Sequence, residues 1–205
     1  GASRPAGFMS SVLPTMMRPI TSLFASTAPI WLGSGRTAIS FRSTAEPMRI
    51  LYNTSDIFEL PKNRSEAVCI TTNGIVKKNG CAVMGAGIAK QANMSFNGLS
   101  RDLGALLSQY GNRVYDMGFR KDNVTGEWIR IITFPTKHHW RDKSDLELIK
   151  TSAEQLIDIC EGRGVTTCYL TRPGCANGGL DWESQVIPLI ECILDDRFVI
   201  ADRPL

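Results

Sequence analysis

From Met48 onward the apolar residues recur with the periods of regular secondary structure. Met48–Tyr52 reads as a short strand, and Asn53-Thr54-Ser55-Asp56 after it as a turn. Ala67-Val68-Cys69-Ile70 is apolar at every position, the mark of a parallel strand covered on both faces. The pattern predicts a helix from near Gly87 towards Phe96 and a second across Leu99–Tyr110. Arg113–Phe119 and Trp128–Phe134 read as strands joined by a hairpin through Asn123-Val124-Thr125-Gly126. Leu146, Ile149, Ala153, Leu156, Ile157 and Cys160 form a helical stripe within Ser144–Cys160. Ser144 is its predicted N-cap, and Gly162 and Gly164 close it. Thr166–Leu170 and Phe198–Ala201 are further strands, and Trp182–Leu194 is a helix interrupted or kinked near Pro188. Strands alternating with helices predict an α/β domain with a mainly parallel sheet and one antiparallel hairpin. Ligands of such sheets bind beyond the carboxyl ends of the strands.

Composition divides the chain in two. Residues 1–47 are rich in Ser, Thr, Pro, Arg and Ala, and no Asp, Glu or Lys occurs before Glu46. This block resembles a mitochondrial or chloroplast transit peptide, although Gly1-Ala2-Ser3 also reads as the scar of a protease cut. It is expected to be a leader with little fixed structure, leaving residues 48–205 as the folded domain. The net charge of +3 belongs to the leader, because acidic and basic residues balance from Met48 on. A domain without excess positive charge lacks the broad electrostatic footprint of a dedicated nucleic-acid binder. Any anion must be gripped locally.

The chain has 205 residues and no uninterrupted apolar run of membrane-spanning length. Its cysteines, Cys69, Cys81, Cys160, Cys168, Cys175 and Cys192, form no C-x-x-C pair, and the two histidines are adjacent. Neither a zinc site nor a disulfide framework is expected. The expectation is a monomer without metal or cofactor in a reducing compartment, cytoplasmic, or mitochondrial if the leader is native.

Two glycine-rich loops carry the chemistry. Met84-Gly85-Ala86-Gly87-Ile88-Ala89-Lys90 lies between a strand and a helix, where glycines let a ligand approach the backbone and the helix presents unpaired N–H groups. Phosphate suits such a place, although the spacing is neither the dinucleotide fingerprint nor a P-loop, and a tight turn explains it as well. Gly174-Cys175-Ala176-Asn177-Gly178-Gly179-Leu180 lies at a second strand exit. Together the loops can embrace a diphosphate from two sides.

Three segments make the chain resemble the macrodomain family, in the branch of antitoxin macrodomains that remove ADP-ribose from DNA bases. They are Val83-Met84-Gly85-Ala86-Gly87-Ile88-Ala89, Phe134-Pro135-Thr136-Lys137-His138-His139-Trp140-Arg141, and the second glycine loop continued through Asp181-Trp182. The resemblance implies a three-layer α/β/α fold and ADP-ribose, or a DNA or protein carrying it, as the partner. It implies that Asp56, with Ile57 beside it, meets the adenine, although a turn or helix-capping role for Asp56 is the plainer reading. Asn73 would face the distal ribose, with a turn residue before Gly74 as its plainer reading. Gly85, Ala86, Gly87 and Ile88 would contact one phosphate. Gly174, Cys175, Ala176, Asn177, Gly178, Gly179 and Leu180 would contact the other phosphate and the ribose.

Three departures qualify the likeness. Ile70 stands where many members have a second Asn, and the Lys77–Gly80 stretch is long for the family. Gly178 occupies the place where one hydrolase branch carries an acid–base Asp, which excludes that mechanism here.

Lys137 is the candidate catalyst. Just past Pro135, it projects from the strand rim towards the ligand crevice. A neutral lysine amine can attack the anomeric carbon of ADP-ribose, opening the sugar to a Schiff base that water resolves. His138, His139 and Arg141 are candidate cationic neighbours, at most one histidine lining the pocket. A charged Lys137 stabilising a leaving group, or a solvated surface lysine, are the other readings. Trp140 and Trp182 are expected to pack, with Trp140 alternatively flanking the leaving group. An ADP-ribosylglycohydrolase heads the functional readings; a phosphatase for ADP-ribose 1''-phosphate and a non-catalytic ADP-ribose reader stand behind it.

Overall fold

The computed structural model describes residues 46–202 apart from Asn53 and Ser55. The leader, both of those predicted turn residues and positions 203–205 lie outside the described residues. A six-stranded sheet runs through the domain in the order β1-β6-β5-β2-β4-β3. Its strands are β1 (Arg49–Leu51), β2 (Glu66–Asn73), β3 (Asp116–Lys121), β4 (Trp128–Lys137), β5 (Thr167–Leu170) and β6 (Phe198–Ala201). Every pairing is parallel except the β3–β4 hairpin.

Alternation along the central strand explains the layering. Ala67 and Cys69 of β2 join a core cluster with α3 (Leu146–Arg163) and α4 (Ile187–Ile190). Val68 and Ile70 of the same strand join a second cluster with α1 (Gly87–Ser95) and α2 (Leu99–Tyr110). Helices therefore cover both faces, which is why β2 reads as a continuous apolar run. The result is the expected three-layer α/β/α sandwich around a mostly parallel sheet. Cys69, Cys160 and Cys168 are fully buried within it as free thiols. The hydrogen bond to Cys168, followed by burial, pushes the Cys160 thiol far above its usual range.

Several boundaries differ from the sequence reading for local reasons. The strand expected from Arg113 begins at Asp116. Asp145, not Ser144, caps α3, its carboxylate accepting from the Glu147 and Leu148 N–H groups at 2.9 and 3.4 Å. The helix expected over Trp182–Leu194 opens as a wide π turn (Trp182–Val186), capped by Asp181, and continues only through the short α4. Ser184 donates to Asp181 from its hydroxyl and its backbone N–H, holding that carboxyl below its usual range.

The long Lys77–Gly80 stretch is a closed excursion. Lys77 N–H donates to Cys81 O and Gly80 N–H to Lys77 O, at 2.8 and 2.9 Å. It rests on Gly104 of α2, where a Cβ would fall 2.0 Å from the Gly80 carbonyl oxygen. The chain thus returns to place the first glycine loop. No helix among the described residues is long and apolar enough to cross a membrane.

Candidate active site

The carboxyl ends of β2, β4, β5 and β6 converge on a cavity of about 740 Å³. A volume of that size is ordinary for a small-molecule or cofactor site. Asn73 and Lys137, paired residues at the ends of adjacent strands, line one part of it. Ala201 and Asp202 line another.

The first glycine loop delivers Gly85, Ala86, Gly87 and Ile88 to the wall. Ala86 is the N-cap of α1 and has no side chain able to satisfy the first-turn N–H groups. Those donors and the helix dipole are left for a ligand anion. Gly87 adopts φ +55, a left-handed conformation that favours glycine. A Cβ on it would lie 3.4 Å from the Asn177 side-chain amide, so the two glycine loops approach each other across the cleft.

The second loop brings Gly174, Cys175, Ala176, Asn177 and Gly178 to the same cavity. Its curl is held by Leu180 N–H donating to Gly174 O at 3.1 Å, and by Ser144 N–H donating to Gly178 O at 2.9 Å. Gly178 tolerates no side chain, since a Cβ would fall 2.0 Å from Gly174 O and 2.2 Å from Ser144 Oγ. Burial pushes the Cys175 thiol up to about 11, with Arg172 opposing.

Lys137 Nζ donates to the Asn177 carbonyl at 2.6 Å. The amine therefore sits inside the cavity, against the second loop. Its backbone is fixed as well, with Lys137 O accepting from Asn112 Nδ2 at 2.9 Å. The following residues turn elsewhere. His138 Nε2 lies 3.3 Å from the Asp145 carboxylate. His139 stacks against Trp140 at 5.5 Å between ring centroids, and the Arg141 guanidinium lies 4.6 Å from the indole centroid. Neither histidine nor Arg141 lines the cavity. Trp182 is packed, at 5% exposure, whereas Trp140 is 46% exposed and borders the cavity, so it is not the packing residue expected.

Four expected contact residues stand outside the cavity lining: Asp56, Ile57, Gly179 and Leu180. Asp56 caps a short 3-10 turn (Ile57–Glu59) by accepting from Phe58 N–H at 2.9 Å, and Ile57 is buried in the core. Thr54, two residues before Asp56, donates its N–H to the carbonyl of the lining residue Asp202 at 3.0 Å. Leu180 packs onto the α3–α4 core. The Asn73 side chain satisfies the local backbone, donating to Val83 O and accepting from Ile75 N–H.

Lining residues that sequence reasoning missed include Thr71, Thr72, Thr136, Ser144, Arg172 and Asp202. All but Ser144, which precedes α3, end or directly follow a strand, so the rule that ligands bind at carboxyl strand ends was the signal available. Arg172 pairs with Asp202 at 2.5 Å and rests over Trp182, 5.3 Å from its centroid. That pairing neutralises Asp202, the one acidic side chain among the described lining residues, and leaves Lys137 as the other charged group among them.

No family profile matches the chain. It is 30% identical over 165 residues to the human ADP-ribose glycohydrolase OARD1, covering 80% of this chain and 94% of that protein. Its fold matches the macrodomain of Mycobacterium tuberculosis DarG with a TM-score of 0.56 and 27% identity, over 76% of this chain and 98% of the other. The chain belongs to the macrodomain family. Within it, this macrodomain is similar to the DarG branch. A 53-residue stretch is 42% identical to the Mycobacterium tuberculosis DNA ADP-ribosyl glycohydrolase, covering 26% of the chain but only 15% of that relative. Thermosipho africanus DarTG, solved in complex with ADP-ribose, shares the fold at a TM-score of 0.61 and 19% identity, over 77% of this chain and 42% of that one.

Proposed function

We propose that this macrodomain, formed by residues 48–205 behind a separate leader of residues 1–47, binds ADP-ribose and hydrolyses it from a modified macromolecule. DNA bases are the carrier we favour, and Lys137 the catalyst. The observation that carries the reading is the Lys137 amine held 2.6 Å from the Asn177 carbonyl within a cavity walled by both glycine loops. The relatives' names, an ADP-ribose glycohydrolase and a DNA ADP-ribosyl glycohydrolase, support the same reaction class.

The diphosphate lies between the loops, met by N–H groups of α1 and of residues 174–178. Its charge is balanced by dipoles instead of a lysine cluster, as the neutral surface requires. Asn73 and the end of β4 then face the outer ribose. The lysine nitrogen attacks the anomeric carbon, the bond to the carrier breaks, and the carrier leaves with its electron pair and takes up a proton. The sugar ring opens to a Schiff base on Nζ. Water adds to that carbon, the carbon–nitrogen bond breaks, and ADP-ribose and the free amine are restored. Gly178 supplies no carboxylate for either proton transfer.

The test compares the protein with a Lys137→Ala variant on ADP-ribosylated DNA, ADP-ribosylated protein and ADP-ribose 1''-phosphate. Release of ADP-ribose from DNA that disappears in the variant is the expected result. Phosphate release alone would make the enzyme a phosphatase. Binding by both proteins without turnover would make it a reader. Calorimetry showing no uptake of ADP-ribose at millimolar concentration would remove the ligand assignment altogether.

A further inference from the structure

Asn112 stands outside the cavity lining, in the segment between α2 and β3, yet its side chain reaches the backbone of Lys137. Strand register shows why that contact matters. Thr72 of β2 pairs with Pro135 and Asn73 with Lys137, so Thr136 is one residue more than the partner strand matches. A bulge of this kind bends the strand, re-aims its side chains and interrupts the ladder that would otherwise fix them.

The four carbonyls around the bulge are held instead by donors from four separate places. Pro135 O accepts from Ser152 Oγ of α3, and Thr136 O from the Asp145 N–H, each at 2.9 Å. Lys137 O accepts from Asn112 Nδ2 at 2.9 Å, and His138 O from Gly74 N–H at 3.2 Å. A carbonyl oxygen can only accept, so the amide nitrogen faces Lys137, and Asn112 Oδ1 is left buried without a donor. An apolar side chain of the same size would avoid that unpaired acceptor, so what the amide adds is its bond to Lys137. Room for it comes from Gly74, where a Cβ would fall 2.9 Å from Asn112 Cγ and 3.0 Å from its Nδ2.

The Lys137 amine ends a flexible four-carbon stem and donates to the Asn177 carbonyl at 2.6 Å. A swing of the peptide at the root of that stem is carried to its tip. We propose that Asn112 is a positioning residue for the hydrolysis: without touching the ligand, it locks the peptide from which Lys137 reaches the anomeric carbon. The inference rests on the hydrolase reading above and adds what holds the amine on target.

The experiment compares Asn112→Ala, Asn112→Asp, Gly74→Ala and the Gly74→Ala, Asn112→Ala double variant with the parent protein. Initial rates on ADP-ribosylated DNA give kcat and KM, and calorimetry gives Kd for free ADP-ribose. Cyanoborohydride added during turnover reduces the Schiff base on Lys137 to a stable adduct that mass spectrometry counts. Displacing a reacting group by about 1 Å costs on the order of 100-fold in rate. Asn112→Ala should therefore lower kcat and adduct formation together by about 10- to 100-fold. KM and Kd should stay within about threefold of the parent. Asn112→Asp keeps the shape but sets a carboxylate oxygen against the Lys137 carbonyl, so it should be at least as slow as Asn112→Ala. Gly74→Ala pushes the amide aside and should slow the parent likewise, yet add nothing in the Asn112→Ala background, where the methyl has room. Parent-like kcat in both Asn112 variants, an Asn112→Asp faster than Asn112→Ala, or a Kd weakened as much as kcat would overturn the positioning role and leave the hydrolase reading standing. A parent protein that releases no ADP-ribose from DNA or protein would instead remove that reading, and the role of Asn112 with it.

Discussion

A methyl group at Gly178 tests the geometry of the second loop. In Gly178→Ala the new Cβ falls 2.0 Å from the Gly174 carbonyl oxygen and 2.2 Å from Ser144 Oγ, where contacts below 3.0 Å do not occur. The serine hydroxyl can rotate aside. The carbonyl cannot, because it accepts from Leu180 N–H and closes the loop. The loop must therefore shift by about 1 Å. Overpacking of this kind costs about 1–3 kcal/mol. For a domain of this size that lowers Tm by roughly 2–12 °C. The same shift moves the backbone N–H groups offered to phosphate, and losing one charge-assisted hydrogen bond of about 1.5–3 kcal/mol weakens ADP-ribose by about 10- to 150-fold. Gly85→Ala is the companion. Its Cβ meets nothing within 4 Å and its φ is unremarkable, yet Gly85 lines the cavity. That variant should keep its Tm and still lose affinity, because the methyl enters space the ligand uses. Thermal unfolding and calorimetry with ADP-ribose read both quantities. Parent-like Tm and Kd in Gly178→Ala, or an equal loss of Tm in the two variants, would refute the reasoning.

Other expectations follow from single contacts. Asp145→Ala should cost about 1 kcal/mol through loss of the α3 cap, whereas Ser144→Ala, which removes a buried hydroxyl with no partner, should be neutral or stabilising in denaturant unfolding. Cys175 should alkylate slowly at pH 8, faster as pH approaches about 11, and more slowly with ADP-ribose bound. Because the folded thiol holds its proton more tightly than the unfolded one near 9, its contribution to stability is present below pH 9 and lost towards pH 11. Comparison of Cys175→Ser with the parent in alkaline unfolding checks the sign.

Much of the fold was legible because period and burial coincide. α2 and β6 begin and end where the apolar pattern does, since the Gly111 turn and the short apolar run leave no alternative. The cap of α3 was not legible, because Ser144 and Asp145 are both good cap residues and only the folded chain sets the Asp145 carboxylate on the Glu147 and Leu148 N–H groups. The π turn at Trp182 is closed by Val186 and Ile187 N–H groups that reach back five residues to the Asp181 and Trp182 carbonyls, a wider reach that periodicity does not record. Both glycine loops were legible as a pair at two strand exits, and Lys137 only through the motif that resembles the family. Thr71, Thr136, Arg172 and Asp202 were not, because they share no motif and meet only where separate strands end.

The nearness of Gly87 to Asn177 ties the two sides of the cleft together. A methyl added at Gly87 would stand 3.4 Å from the Asn177 amide, so bulk gained by one loop is felt by the other. The width of the cleft is therefore a joint property of both turns, and neither can be enlarged alone.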